Sequence, residues 1–204
     1  MSDAAVLRPN LAEPLRALGA CNNTPDDAVP WARAYEANWE LALADCPDPG
    51  WLIWLAVRLM DRNHLSREAI VLCVCACART ALPWVHTGEA RPLTTIETTE
   101  RWARGEATRQ EVEGASSGAW YARVGGVGGV SLATSWASAS AYWAACAALA
   151  DTAHAVFGRA VWAIESAVRM GSDATVLGII RRDLGPALIE GLEAYSVALP
   201  GASR

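Results

Sequence analysis

The chain has 204 residues, 52% hydrophobic and 19% charged, which is the composition of a folded globular domain rather than a disordered segment. Its formal charge is −5, and all 17 basic residues are arginine. The acidic balance argues against nucleic acid as the main partner. The absence of lysine excludes P-loop nucleotide hydrolysis, pyridoxal Schiff-base chemistry and protein-kinase phosphoryl transfer, each of which needs a lysine at the reacting group.

Met1–Asn10 lacks the cationic and apolar regions of a leader, so the six cysteines are expected as reduced thiols in the cytoplasm. Pro30, after Asp26 and Asp27, stands where a first helical residue would, and Trp31–Cys46 follows with helical spacing of its apolar residues. Pro47–Gly50 breaks the chain before a short apolar helix over Trp51–Met60. Ser66 is placed to cap the next helix, Arg67–Leu82, which Pro83 stops. Pro92 opens another that runs through Arg104 and ends at Gly105, with Glu97–Arg101 and Glu100–Arg104 as pairs one turn apart. Thr108–Glu111 has the form of a capping box. Gly114–Gly118 (GASSG) is expected to interrupt that helix, and Gly125–Gly129 to form a joint.

Beyond the joint, Ala-rich helices are expected at about Ser131–Ala150 and Asp151–Met170, then a shorter one at Asp173–Asp183 and a last one at Pro186–Leu199. Trp136 and Trp143, two turns apart, would share a face. The uncharged stretch Val124–Ala150 is long enough to span a bilayer, but its Gly, Ser and Ala content favours a close-packed helix in a protein core. With strand signals nearly absent, the expected architecture is all-α: one domain over 1–204, a bundle of about seven to nine antiparallel helices. It divides into a motif-bearing half (25–112) and an Ala-rich half (118–199), with flexible ends at 1–10 and 200–204.

Several constellations look chemical and have plainer readings. In Cys73-Val-Cys75-Ala-Cys77, the outer two thiols share a helix face while Cys75 points away, so the three do not converge on a metal, and no fourth ligand accompanies them. Asp151 and His154 are spaced to touch on one helical face. Gly114–Gly118 matches the GxSxG string but lacks the preceding strand that a nucleophile elbow requires. No cofactor-binding or metal-binding motif is present. The ten tryptophans are expected mostly in the core, with some on a contact surface, since Trp and Arg dominate binding hot spots.

Asp45–Ala56 (DCPDPGWLIWLA), Cys75–Leu82 (CACARTAL), Gly88–Pro92 (GEARP), Ile96-Glu97 and Glu100–Thr108 (ERWARGEAT) together resemble a bacterial family. It is the immunity-five-like group of immunity proteins from polymorphic toxin systems. The likeness is close from about Trp39 to Thr108 and compositional over the Ala-rich half. It implies an all-helical, non-catalytic cytoplasmic protein that binds a cognate toxin domain and occludes its active site, with no nucleic acid, no membrane and a homodimer left open. The net acidic charge would suit a basic toxin such as a nuclease. Candidate partner- or pocket-forming residues on the matching positions are Trp51, Trp54, Cys77, Arg79, Arg91, Glu97 and Trp102.

The chain departs from the family pattern at Pro83, at His86, where proline is usual, and at Thr94, Thr95, Thr98 and Thr99, which replace small apolar residues. These changes cluster in Pro83–Thr99, as expected of a surface adapted to one partner. Arg79 or Arg91 beside Glu97 would form a buried ion pair orienting three helices, and Trp102 a core anchor. The alternative function is a small helical enzyme or ligand-binding protein of a biosynthetic pathway, with Glu97, Arg91, Arg79 and His86 converging on a pocket between helices.

Overall fold

The structure, a computed structural model, describes residues 10–20, 28–125, 131–171 and 173–198. Most of the expected flexible ends, Cys21, the pair Asp26-Asp27 and most of the glycine joint lie outside the described residues. Among the described residues there are ten α-helices, one 3-10 turn and no strand. In chain order they are α1 (Ala12–Ala17), α2 (Ala28–Arg33), α3 (Trp39–Asp45), α4 (Pro49–Asp61), α5 (Arg67–Arg79), the 3-10 turn Leu82–Trp84, α6 (Arg91–Ala103), α7 (Arg109–Val124), α8 (Leu132–Ala148), α9 (Ala153–Val168) and α10 (Asp173–Val197).

Most helix starts follow from side chains that satisfy the free N–H groups of the first turn. Asn38, Asp48, Ser66, Thr108, Ser131 and Thr152 cap α3, α4, α5, α7, α8 and α9 in this way. At α7 the box is complete: Thr108 accepts from the Glu111 N–H, and the Glu111 carboxylate accepts from the Thr108 N–H.

Three expected boundaries are corrected. Trp31–Cys46 is not one helix: Glu36 adopts a left-handed backbone (φ +49°), its carbonyl accepts the Leu11 N–H, and Asn38 starts a new helix. Gly114–Gly118 does not interrupt α7. The Ser116 and Ser117 hydroxyls donate to the Glu113 carbonyl at 2.8 and 3.1 Å, so both serines turn back on their own helix without breaking it. Nor does Pro186 divide the last helix; it lies inside α10. A proline there removes one helical hydrogen bond. The buried stripe Leu177, Ile180, Leu184, Leu188, Leu192 and Tyr195 runs straight through it and holds the helix against α3, α4 and α5.

Helices α6 to α9 form an antiparallel meander. Between α6 and α7, Thr95 meets Ala115 and Arg101 meets Glu111. Between α7 and α8, Trp120 meets Tyr142, while Arg109 reaches the Leu149 carbonyl. Between α8 and α9, Trp136 meets Arg169, Trp143 meets Trp162, and Cys146 meets Arg159. In each pair the register advances on one helix as it retreats on the other.

The alanines explain why α8 can stand in the middle. Ala137, Ala141, Ala144, Ala145 and Ala148 are buried, so neighbouring helices approach it closely on several sides. It packs against α5, α6, α7 and α9. The Ser140 hydroxyl, fully buried, donates to the Ala163 carbonyl of α9 at 2.7 Å. Helices α4, α5 and α10 complete the core beneath α9, and α1 packs on α2. No described helix is long and apolar enough to cross a membrane.

Candidate functional site

The four polar residues proposed for catalysis are not assembled into one site. Arg79, at the end of α5, makes a bidentate pair with Glu100 of α6, both bonds 2.8 Å. That hydrogen bonding raises the Arg79 pKa further above its ordinary value, and Arg104 approaches the same carboxylate at 3.9 Å. Arg91 turns instead to Glu89 just before α6, with Nε 2.8 Å from Oε1 and Nη2 against Oε2. Glu97 is exposed and is the partner of neither arginine. The expected buried pair with Glu97 is therefore replaced by two half-exposed pairs using Glu100 and Glu89. The physical reason is rotation along α6: Glu100, nearly a full turn after Glu97, faces α5, while Glu97 faces solvent.

His86 sits exposed in the turn before α6, its ring Nδ1 2.8 Å from the Thr87 carbonyl oxygen and its backbone N–H on the Thr134 hydroxyl. The threonines singled out as surface adaptations divide. Thr95 and Thr99 are fully buried. The Thr95 hydroxyl lies 2.8 Å from the Arg91 carbonyl and 2.7 Å from that of Ala115, bridging α6 to α7, and Thr99 donates to the Thr95 carbonyl. Their role is helix packing, which corrects the expectation of a surface at those two positions.

Trp51 and Trp54 face the N-terminal helices. With Leu11, Leu15, Trp31, Leu43 and Cys46 they border a small apolar cavity of about 20 Å³. That is room for roughly one water, not a metabolite. Both indole N–H groups are buried with no acceptor among the described residues. Trp31 packs on Trp51 at 5.7 Å, and the Arg58 guanidinium lies 5.6 Å from the Trp54 ring. None of Arg79, Arg91, Glu97 and His86 borders this cavity.

Cys77 is fully buried one turn after buried Cys73, while Cys75, on the other side of α5, is buried as well. Burial pushes the Cys75 thiol well above its ordinary range, and pushes Cys46 up to about 11. Such thiols are poor nucleophiles and poor metal ligands. Among the described residues no group of three His, Cys, Asp or Glu side chains is placed to hold a metal ion. Trp102 is half-buried against the core. Asp151 pairs with Arg109 at 3.2 Å, which gives it a partner other than His154.

The arrangement that sequence reasoning missed lies across α7, α8 and α9. Four rings form a continuous row: Trp120 to Tyr142 at 5.2 Å, Tyr142 to Trp143 at 4.8 Å, and Trp143 to Trp162 at 4.5 Å. The ends of the row are open, with Trp120 38% and Trp162 50% exposed. One arginine caps the Trp120 end of the row and two more lie on the same α8–α9 face. The Arg123 guanidinium lies 5.1 Å from the Trp120 ring, Arg169 lies 4.5 Å from Trp136, and Arg159 donates to the Cys146 carbonyl at 2.9 Å.

Tyr142 stands in the middle of the row, one helical turn before Cys146. Desolvation raises the Tyr142 pKa, and the charges of Arg159 and Arg123 work in the opposite direction. The spacing of Trp136 and Trp143 was the signal available in sequence, and both do face α9. Trp120 and Trp162 join them only through the packing of three helices.

Beside the row of half-open aromatic rings stands one thiol, Cys146, whose pKa burial raises, and among the described residues no base held by an orienting partner accompanies it. The row can offer flat apolar area, cation-π contacts and hydrogen-bond donors to another surface. No family model, no curated protein and no solved structure matches the chain.

Proposed function

We propose that the chain is an immunity protein, which binds a bacterial toxin domain and blocks its active site by occupying it. One observation carries this function: the Trp120–Tyr142–Trp143–Trp162 row, partly exposed, rigid because it is spread over three packed helices, and edged by arginine. Aromatic and arginine side chains of this kind supply most of the energy at protein interfaces, because they bury large area while losing little conformational freedom. The family resemblance over about Trp39–Thr108 supplies the biological context, and the dispersal of Arg79, Arg91, Glu97 and His86 into separate local contacts removes the constellation a catalytic alternative would have used.

Inhibition by occlusion asks nothing of the chain beyond a stiff face of the right shape. The test is co-expression with each toxin domain encoded beside the gene. Growth should be restored, and the two chains should elute together at one-to-one stoichiometry. Growth arrest in every pairing, with no complex at micromolar concentration, refutes the proposal.

A further inference from the structure

The arginines of this protein are not paired alike. Arg79, Arg91, Arg101, Arg104, Arg109 and Arg182 each have a carboxylate at ion-pair distance. Among the described residues Arg123 at the Trp120 end of the row, Arg159 on the Cys146 carbonyl and Arg169 over Trp136, a neighbour of the row on α8, have none. Arg16, Arg33, Arg58, Arg62, Arg67 and Arg181 elsewhere on the chain also lack one, so what marks the three is that they share the α7–α8–α9 face. Glu165, between Trp162 and Arg169 on the same face of α9, is the carboxylate that shares the strip, and it too makes no ion pair among the described residues. The strip therefore carries three cations against one anion on a chain whose formal charge is −5. An arginine over an indole keeps its charge and its unused N–H donors available to a partner.

From this charge pattern we infer that the surface received by the α7–α8–α9 face is acidic: a protein segment presenting carboxylates interleaved with apolar side chains. The carboxylates meet Arg123, Arg159 and Arg169, and the apolar groups lie on the rings. This inference rests on the proposed function for the partner's identity. It reverses the expectation, drawn from net charge alone, of a basic toxin, because local charge at the contact face outweighs distant charge screened over about 8–10 Å of salt solution.

The test has two arms. In the first, association with the cognate toxin domain is followed by tryptophan fluorescence in a stopped-flow instrument at low and high salt. It uses the wild type, Arg123→Glu and Glu165→Arg, each checked for an unchanged melting temperature. Added salt should slow the wild type. Arg123→Glu should associate about tenfold more slowly at low salt and Glu165→Arg faster, in the range expected for electrostatic steering. Rates that ignore both substitutions, or that change in the opposite sense, overturn the inference while the complex itself upholds the proposed function.

The second arm needs no toxin. Fluorescence anisotropy compares a labelled peptide alternating Glu with Leu and Tyr, its Lys counterpart and a single-stranded oligothymidine. Preference for the Glu peptide, abolished in Arg123→Glu, supports the acidic partner even if no toxin domain binds. Preference for the Lys peptide, or for the oligothymidine, overturns it; the latter would make the row a base-stacking platform. Self-association of the chain that disappears on Trp162→Ala would overturn it in favour of a second copy.

Discussion

Replacing Gly191 with alanine puts a methyl group where the fold leaves no room. A Cβ there would stand 2.8 Å from the His64 carbonyl oxygen and 3.1 Å from Leu59 Cδ1, in the turn that joins α4 to α5. The nearer obstacle is backbone, fixed by the His64 N–H donating to the Leu59 carbonyl at 2.8 Å, so it cannot swing away as a side chain would. Two effects oppose each other. Alanine is favoured over glycine in a helix by about 1 kcal/mol. Overpacking costs about 1–3 kcal/mol.

The clash should win, leaving a net loss of about 1 kcal/mol and a Tm lowered by about 2–4 °C for a chain of this size. Gly178, on the same helix, is the control. It is exposed, and a Cβ there meets nothing within 4 Å, so Gly178→Ala keeps only the propensity gain and should raise Tm by a similar amount. Differential scanning calorimetry of the two variants decides. Equal melting temperatures would mean that α10 does not pack on the α4–α5 turn, and the continuous helix through Pro186 would fall with that contact.

Three further outcomes are expected. Thr95→Val keeps the shape of a fully buried side chain but removes the hydroxyl between the Arg91 and Ala115 carbonyls, and should cost about 1 kcal/mol in urea unfolding with partner binding unchanged. Glu89 is held below the usual carboxylate range first by its hydrogen bond from Arg91, and Glu111 by the Thr108 N–H and hydroxyl. Because both folded-state pKa values are depressed, their stabilisation is complete above the unfolded carboxylate pKa and is lost as pH falls through the folded one. The urea midpoint should therefore drop on acidification, and Glu89→Gln and Glu111→Gln should each flatten that drop. Iodoacetamide followed by peptide mass spectrometry should modify Cys146 first among the five described cysteines, since Cys46, Cys73, Cys75 and Cys77 are buried; uniform labelling would contradict the α5 packing.

The parts of this structure written in local chemistry were readable in the sequence. Ser66 and Thr108 announce helices because capping depends on residues within a few positions of one another, whereas Asp48-Pro49, read as part of a chain break, starts its helix two residues before the expected Trp51. Glu36 gave no such signal: its left-handed backbone is imposed by tertiary contact with Leu11, and the helical spacing of Trp31–Cys46 continues across it. Pro186 misled in the opposite direction. A single lost hydrogen bond is a strong local cue, but the apolar stripe from Leu177 to Tyr195 outweighs it once α10 has a core to lie against.

The same distinction governs the site. The expected pair of Arg79 or Arg91 with Glu97 does not form, because the choice of Glu100 by Arg79 depends on how α6 is rotated against α5. The aromatic row depends on the register of three helices at once. Trp120 and Trp162 are distant in the chain and meet the same cluster only because the meander folds back twice.

The most direct test of the aromatic face as a protein-binding site is a calorimetric titration of the cognate toxin domain into the wild type and Trp162→Ala. Half of Trp162 is in solvent and half lies against Trp143, so its removal should lower the melting temperature by several degrees while leaving the chain folded at the temperature of the titration. As a hot-spot anchor it should cost about 2 kcal/mol or more of binding, roughly a thirtyfold weaker complex. Unchanged affinity in Trp162→Ala, with binding instead weakened by substitution of the exposed Trp84 in the 3-10 turn, would place the interface elsewhere and contradict the account.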